Sequence, residues 1–143
     1  MVASLARLLA SASILILAAA CGDPASSVQV SSGECGGGSA PDYLAGATVA
    51  FIGVMLPGAT VKTGSGNVLV SPAKARVVRY LKGTGPSVVT IQTGVRKGGS
   101  GAITNEDGIE PVAGQRWKIY SSSGRIPYQT SVCMGSMLLR GTS

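Results

Sequence analysis

Two β-prone segments and the break between them constrain the fold of this chain more than any other feature. The segments cover residues 75–81 and 88–91 and consist largely of Val, Ile, Tyr and Leu. Residues 82–87, which separate them, include two glycines and a proline that disfavour both helix and strand. The pattern predicts a β-hairpin, or two neighbouring strands of one antiparallel sheet, within residues 71–94.

The alternation of apolar and polar side chains slips inside the first segment. Ala75 and Val77 belong on one face of a strand, yet Val78 is also apolar and Arg79 follows it. A β-bulge near Val77 and Val78, which adds one residue to a strand, would account for this slip. With the bulge, the residues expected to face inward are Ala75, Val77 and Tyr80, and those expected to face outward are Lys74, Arg76 and Arg79.

Short strands and turns are expected in the rest of the chain. Of the 143 residues, 21 are glycine and only 13% are charged, which suits short strands better than long helices. We therefore expect one all-β domain. The expected elements are a helical turn (41–46), strands (47–56, 115–120, 126–133), a loose hairpin (61–70), a loop (95–114) and a short helical or irregular tail (134–143).

Residues 1–20 have the features of a signal peptide. One cation, Arg7, precedes the apolar segment 8–20, which has the length of a signal-peptide core and is too short to span a membrane comfortably. We therefore expect export. The small residues before Cys21 resemble the signal of bacterial lipoproteins, in which this cysteine carries diacylglycerol. The alternative is ordinary cleavage after Ala20, which would give a secreted protein.

A flexible tether is predicted at residues 21–40, between the signal and the folded domain at 41–143. The segment is rich in Gly and Ser and has no sustained apolar period. The 14 steps from Cys21 to Cys35 span at most about 45 Å when fully extended. A lipid at Cys21 would therefore hold the domain close to the membrane surface.

Three cysteines in an exported chain leave one unpaired if a disulfide forms. Lipidation of Cys21 would account for the odd one and leave Cys35 and Cys133 as a pair. Their bond would join the entry of the domain to its last predicted strand. The alternative is a reactive or metal-binding thiol, although neither cysteine has a neighbouring His or Cys to complete a zinc site.

The chain contains no histidine. It therefore lacks the most frequent general base, the usual metal ligand, and the partner of Ser-His and Cys-His nucleophiles. The acidic run Glu106, Asp107 and Glu110 lacks the regular spacing of a calcium loop. We expect a protein that is not an enzyme and has no cofactor or metal site.

Several segments occur in an order that resembles bacterial proteins similar to tissue inhibitors of metalloproteinases and netrin modules. Between Cys35 and Leu139 these are ATVAFIG (47–53), VVRYLKG (77–83), VVTIQTG (88–94), GQRWKIY (114–120) and TSVCMGS (130–136). The resemblance implies an OB-fold, a five-stranded Greek-key barrel, with its first and last cysteines bridged. Animal inhibitors of this family bind the protease zinc through an amino-terminal cysteine. Cys35 would not be the first residue, and a lipid would hold Cys21 in the membrane, so we do not expect this mechanism.

A possible basic binding face follows the first central strand, at Lys74, Arg76, Arg79 and Lys82. Residues 40–143 hold 11 basic and 4 acidic side chains, a balance that attracts anionic partners. Because an exported protein rarely meets nucleic acid, the expected partner is an anionic polymer, a lipid or an extracellular protein. The alternative is that this charge only keeps the domain soluble.

We therefore expect a monomeric, non-enzymatic binding module on the extracytoplasmic side of the cell membrane, anchored there by its lipid. The alternative is a secreted protein that inhibits an extracellular protease through its loops.

Overall fold

A computed structural model describes residues 35, 38–99 and 101–140. Strands make up 48% of it, with one α-helix and a sheet curled into a half-barrel. The predicted predominance of strands is confirmed. The elements in chain order are α1 (Ala40–Gly46), β1 (Val49–Met55), β2 (Thr60–Thr63), β3 (Gly66–Leu69), β4 (Ala73–Lys82), β5 (Val88–Gln92), β6 (Val95–Gly98), β7 (Gly101–Thr104), β8 (Arg116–Ser121), β9 (Tyr128–Gln129), a 3₁₀ turn (Val132–Met134) and β10 (Met137–Leu139).

Six strands form the main sheet in the order β10-β8-β1-β4-β5-β9. Every neighbouring pair is antiparallel except β5 and β9, which run parallel. The predicted pairing of the two central segments is therefore confirmed, as β4 and β5. Two separate hairpins, β2–β3 and β6–β7, complete the strands of the described residues.

Strand β1 lies inside the sheet and is buried along nearly its whole length. Its alternate residues Val49, Phe51 and Met55 point to the concave side, which we call the inner face, and join the main core. Residues Ala50 and Ile52 point to the opposite side, the outer face, and are also buried. Burial on both sides explains why this segment reads as a nearly continuous apolar run.

The predicted β-bulge is confirmed. Gly53 pairs with Val77 and Ile52 pairs with Arg79, so Val78 has no partner in the ladder. A second shift, which the sequence did not suggest, pairs Ala50 with Lys82. The inward residues Ala75, Val77 and Tyr80 belong to the main core, and the outward residues Lys74, Arg76 and Arg79 are exposed, as predicted.

The expected loop at residues 95–114 is partly wrong. Strands β6 and β7 pair as a hairpin within it, and Val95 and Ile109 are fully buried. The two backbones meet at Gly94 and Gly108, where a Cβ on either residue would overlap with the Cα of the other. The glycine-rich sequence conceals this packing, because the contact is made by backbone and leaves no apolar pattern.

The expected strand at residues 126–133 is shorter than predicted. Only Tyr128 and Gln129 pair with β5, and the chain then enters a 3₁₀ turn. The Ser131 hydroxyl accepts a hydrogen bond from the Met134 N–H, and Gly135 ends the turn with φ of 83°. Such local bonds compete with strand pairing. The tail, expected to be helical or irregular, instead supplies β10.

Helix α1 confirms the helical turn predicted at residues 41–46. Ser39 is its N-cap residue, and the Ser39 N–H and hydroxyl both donate to the Asp42 carboxylate, at 2.9 and 2.6 Å. These hydrogen bonds lower the pKa of the Asp42 carboxyl. Pro41 suits the first turn, because a backbone N–H at this position has no acceptor within the helix and proline lacks that N–H. Across the described residues, none of the helices is both long and apolar enough to cross a membrane.

Cys35 and Cys133 form a disulfide, with their Cα atoms 5.0 Å apart and a sequence separation of 98. This agrees with the pairing expected from the cysteine count. The predicted signal peptide, Cys21 and most of the predicted tether lie outside the described residues.

Replacing both bonded cysteines, as Cys35→Ser/Cys133→Ser, should lower the free energy of unfolding by about 3 to 5 kcal/mol, because the bridge restricts the unfolded chain. Urea unfolding measures the change, with Cys21→Ser as the control that should leave stability unchanged. Alkylation of the unreduced wild type should label neither Cys35 nor Cys133. Labelling of both would contradict the disulfide.

Gly94→Ala should lower the free energy of unfolding by about 1 to 3 kcal/mol, because its methyl group would force apart two packed backbones. Gly64→Ala is the matched control, since a Cβ there meets no atom within 4 Å. Thermal or urea unfolding measures both variants. Equal stability of the two would show that the Gly94–Gly108 approach is not required.

Candidate binding surface

The outer face of the main sheet carries cations from two strands that are not adjacent. In one row across the sheet, Arg116 of β8 lies opposite Val54 of β1, which lies opposite Arg76 of β4. In the next row Lys118, Ile52 and Arg79 follow the same order. Because directly paired residues share one face of a sheet, each row has two cations flanking a β-branched side chain.

Lys74 extends this surface along β4, opposite Thr90 of β5. The six strands of the main sheet contain no Asp or Glu. Positive charge on the outer face is therefore not neutralised from within the sheet. We call this surface the basic face; its members are Lys74, Arg76, Arg79, Arg116 and Lys118.

Three of the four cations predicted for a binding face belong to the basic face, and the fourth has another position. The Lys82 ammonium donates to the carbonyl oxygens of Leu44 and Ala45, at 3.0 and 2.8 Å. These carbonyls lie in the last turn of α1, where the helix dipole also stabilises a cation. Lys82 therefore holds the helix against the sheet.

Sequence reasoning did not include Arg116 and Lys118 in the binding face. The alternation of residues 115–120 puts both on one side of their strand. Their place in the basic face depends on the strand order, which puts β8 beside β1, so that only β1 separates β8 from β4. No local pattern in either segment carries that information.

Helix α1 covers the end of the outer face next to the basic face. Tyr43 and Leu44 of the helix pack on Ala50 and Tyr120 of the sheet, with the two tyrosine ring centroids 6.1 Å apart. Burial raises the pKa of the Tyr120 phenol. In the rows that contain Ile52 and Val54, Arg76, Arg79 and Arg116 are exposed and Lys118 is half-buried.

Apolar side chains lie among the cations. Val78, at the bulge, is 52% exposed, and Val88, paired with Arg76, is 44% exposed. By contrast Ile52, which lies between Arg79 and Lys118 in its row, is only 5% exposed. Long cationic side chains commonly lay their aliphatic stems over apolar neighbours, and both flanking residues stand at the right positions to do so. The surface is therefore both cationic and partly apolar.

Two aromatic side chains of these strands, Tyr80 and Trp117, point to the inner face. Trp117 is 6% exposed, and its Nε1–H donates to Gln115 Oε1 at 3.0 Å. The Tyr80 hydroxyl donates to the Pro86 carbonyl at 2.9 Å. Burial raises the pKa of Tyr80, with a smaller contribution from the neighbouring Tyr128 phenol. Neither Tyr80 nor Trp117 is therefore available to stack on a ligand at the basic face.

Elsewhere, a polar cleft of about 440 Å³ lies between the end of β5, the loop 105–108 and residues 129–131. Close to it, the sulfur atoms of Cys35 and Cys133 and a carboxylate oxygen of Asp107 lie within 4.8 Å of one another. The two sulfurs are bonded together, so they offer no thiolate to a metal or a substrate. The Asp107 carboxylate, 3.4 Å from Cys133 Sγ, is exposed to solvent.

No protein-family model, curated protein or solved structure matches this chain. Among the described residues, the basic face combines five cations with exposed valines on strands that contain no acidic residue.

Lys82→Gln should lower the free energy of unfolding by about 1 kcal/mol, because α1 loses a charged donor to its last carbonyls. It should leave anion binding unchanged, since its ammonium is directed at the helix. Chemical denaturation and a binding titration measure the two effects. Lys74→Gln is the matched control, which should weaken anion binding and leave the free energy of unfolding unchanged. Weaker binding by Lys82→Gln at unchanged stability would return Lys82 to the binding face.

Proposed function

We propose that this chain is an exported, membrane-tethered, non-enzymatic module that binds an anionic partner at the cell surface through its basic face. The observation that carries the proposal is the group of five cations on an accessible sheet face whose strands contain no acidic residue. A surface arranged only for solubility would be expected to mix the two signs of charge.

An OB-fold barrel is the architecture we propose for this module. In an OB-fold, five strands close into a partly open Greek-key barrel. The order β8-β1-β4-β5-β9 supports this topology, as does the route of residues 128–139. That segment pairs with β5 at its start and with β8 at its end, so it reaches both edges of the curled sheet. We propose the likeness to inhibitor and netrin modules on the same grounds.

The tether rests on the sequence before Cys35. A signal-like segment ends at Cys21, and the residues that follow have the composition of a flexible linker. The disulfide fixes Cys35 to the domain. A lipid at Cys21 would therefore hold Cys35, the point where the chain enters the domain, within about 45 Å of the bilayer by covalent connection.

The proposal of a non-enzymatic role rests on the residue inventory. With no histidine, acid–base or nucleophilic catalysis would need carboxylates, lysines or hydroxyls with strongly altered environments. Hydrogen bonds from Ser39 lower the pKa of the Asp42 carboxyl, so this shift has a structural cause at the helix start.

The triple variant Lys74→Gln/Arg76→Gln/Arg79→Gln should bind isolated cell envelopes at least about tenfold more weakly than the wild type at low salt, because it removes three cations from the basic face. The matched control Lys62→Gln/Arg96→Gln/Arg125→Gln removes the same charge from exposed positions outside the main sheet. Co-sedimentation at increasing salt measures both.

If both triple variants lose affinity equally, net charge rather than the basic face explains the binding. If neither does, the basic face has no binding role. Mass spectrometry of the mature protein tests the tether separately, since an unmodified amino terminus in the culture medium would exclude the lipid anchor.

A further inference from the structure

We infer that the partner of the basic face is the anionic phospholipid surface of the membrane to which the chain is tethered. The inference rests on the proposed function and names its partner. Headgroup phosphates supply the negative charge, and the boundary between headgroups and acyl chains accepts the exposed valines.

The spacing of the cations suits a surface of many separate anions. Strands lie about 4.8 Å apart, and alternate residues about 7 Å apart. Arg116 and Arg76, two strands apart, are therefore about 10 Å from each other at the backbone. The five cations spread over a face of about 10 by 14 Å. Their backbone positions are thus distributed over two strands and several rows, rather than grouped around one point as in a pocket for one small anion.

The apolar side chains favour a lipid over a soluble polyanion. Val78 and Val88 are exposed beside Arg79 and Arg76. At the β10 edge of the sheet, Met137 and Leu139 pair with Lys118 and Arg116. They therefore share the outer face with these cations, and both are half-buried. A hydrated polymer would leave such side chains in water, whereas an interfacial membrane contact buries them below the headgroups.

A nucleic acid or another base-bearing polymer is the less suitable partner. Binding of single strands normally combines cations with aromatic platforms for the bases. Tyr80 of β4 and Trp117 of β8 lie on the inner face, and Tyr120 of β8, on the outer face, is only 3% exposed beneath α1. The basic face offers charge and aliphatic surface without stacking.

The tether makes even a weak contact effective. Each Lys or Arg near an anionic bilayer raises affinity by about fivefold, and screening by salt reduces this gain. A linked domain meets its membrane at an effective concentration in the millimolar range. The lipid would then retain the protein, and the basic face would set which side of the domain faces the bilayer.

Lysine labelling tests this orientation on the wild-type sequence, without any substitution. The mature chain, with or without lipid at Cys21, is mixed with an excess of vesicles of phosphatidylcholine alone or with added phosphatidylglycerol. An amine-reactive reagent is applied, and mass spectrometry gives the labelling rate of each lysine. Lys74 and Lys118 should react at least about fivefold more slowly with the anionic vesicles. Lys62 and Lys97, exposed on the hairpins β2–β3 and β6–β7, are internal controls and should not change.

Two variants locate the effect. Arg76→Gln/Arg116→Gln should abolish most of the protection of Lys74 and Lys118, because it removes one cation from each side of the face. Arg96→Gln/Arg125→Gln carries the same charge change outside the main sheet and should retain the protection. A high salt concentration should remove the protection in every case.

Equal labelling of Lys74 and Lys118 on neutral and anionic vesicles would overturn the inference. If soluble polyphosphate protects these lysines and the anionic vesicles do not, the lipid assignment is wrong while anion binding by the basic face stands. If neither protects them and envelope binding is also unaffected by the basic-face variants, the proposed function fails as well.

Discussion

The packing of Phe51 is the interaction on which the curl of the sheet depends. Its ring lies 5.9 Å from Tyr80 on the adjacent strand β4 and also 5.9 Å from Tyr128 on β9. Strand β9 is three places from β1 in the order of the sheet, so a flat sheet would keep these side chains well apart. The sheet must curve around Phe51, and the outer face thereby becomes convex. The accessibility of the basic face follows from a core contact on the other side of the same strand.

The parts of the fold that the sequence predicts are those governed by side-chain alternation. The slip at Val78 located the bulge, and the outward positions of Arg76 and Arg79 followed from it. The same reasoning failed where backbone contacts or sheet order decide the result. The chain on either side of the hairpin β6–β7 packs through two glycines in contact, and the basic face depends on β8 lying beside β1. Alternation within one segment describes neither.

Lys82 shows why charge along a strand does not by itself define a binding site. It follows the other cations of β4 in sequence, but the second irregularity in the ladder places it opposite Ala50, beneath the end of α1. There it meets carbonyl oxygens of the helix rather than solvent. A single extra residue in a strand thus separates a structural cation from those that are accessible.

The disulfide also determines how the domain would respond to mechanical force. A pull on the chain before Cys35 would pass through the sulfur bridge directly to Cys133, in the segment that runs from one edge of the sheet to the other. Helix α1 and strand β1 follow Cys35 in the chain and would carry only part of the load. A domain connected in this way resists being peeled from its first element, so shear at a surface would act on the folded unit as a whole.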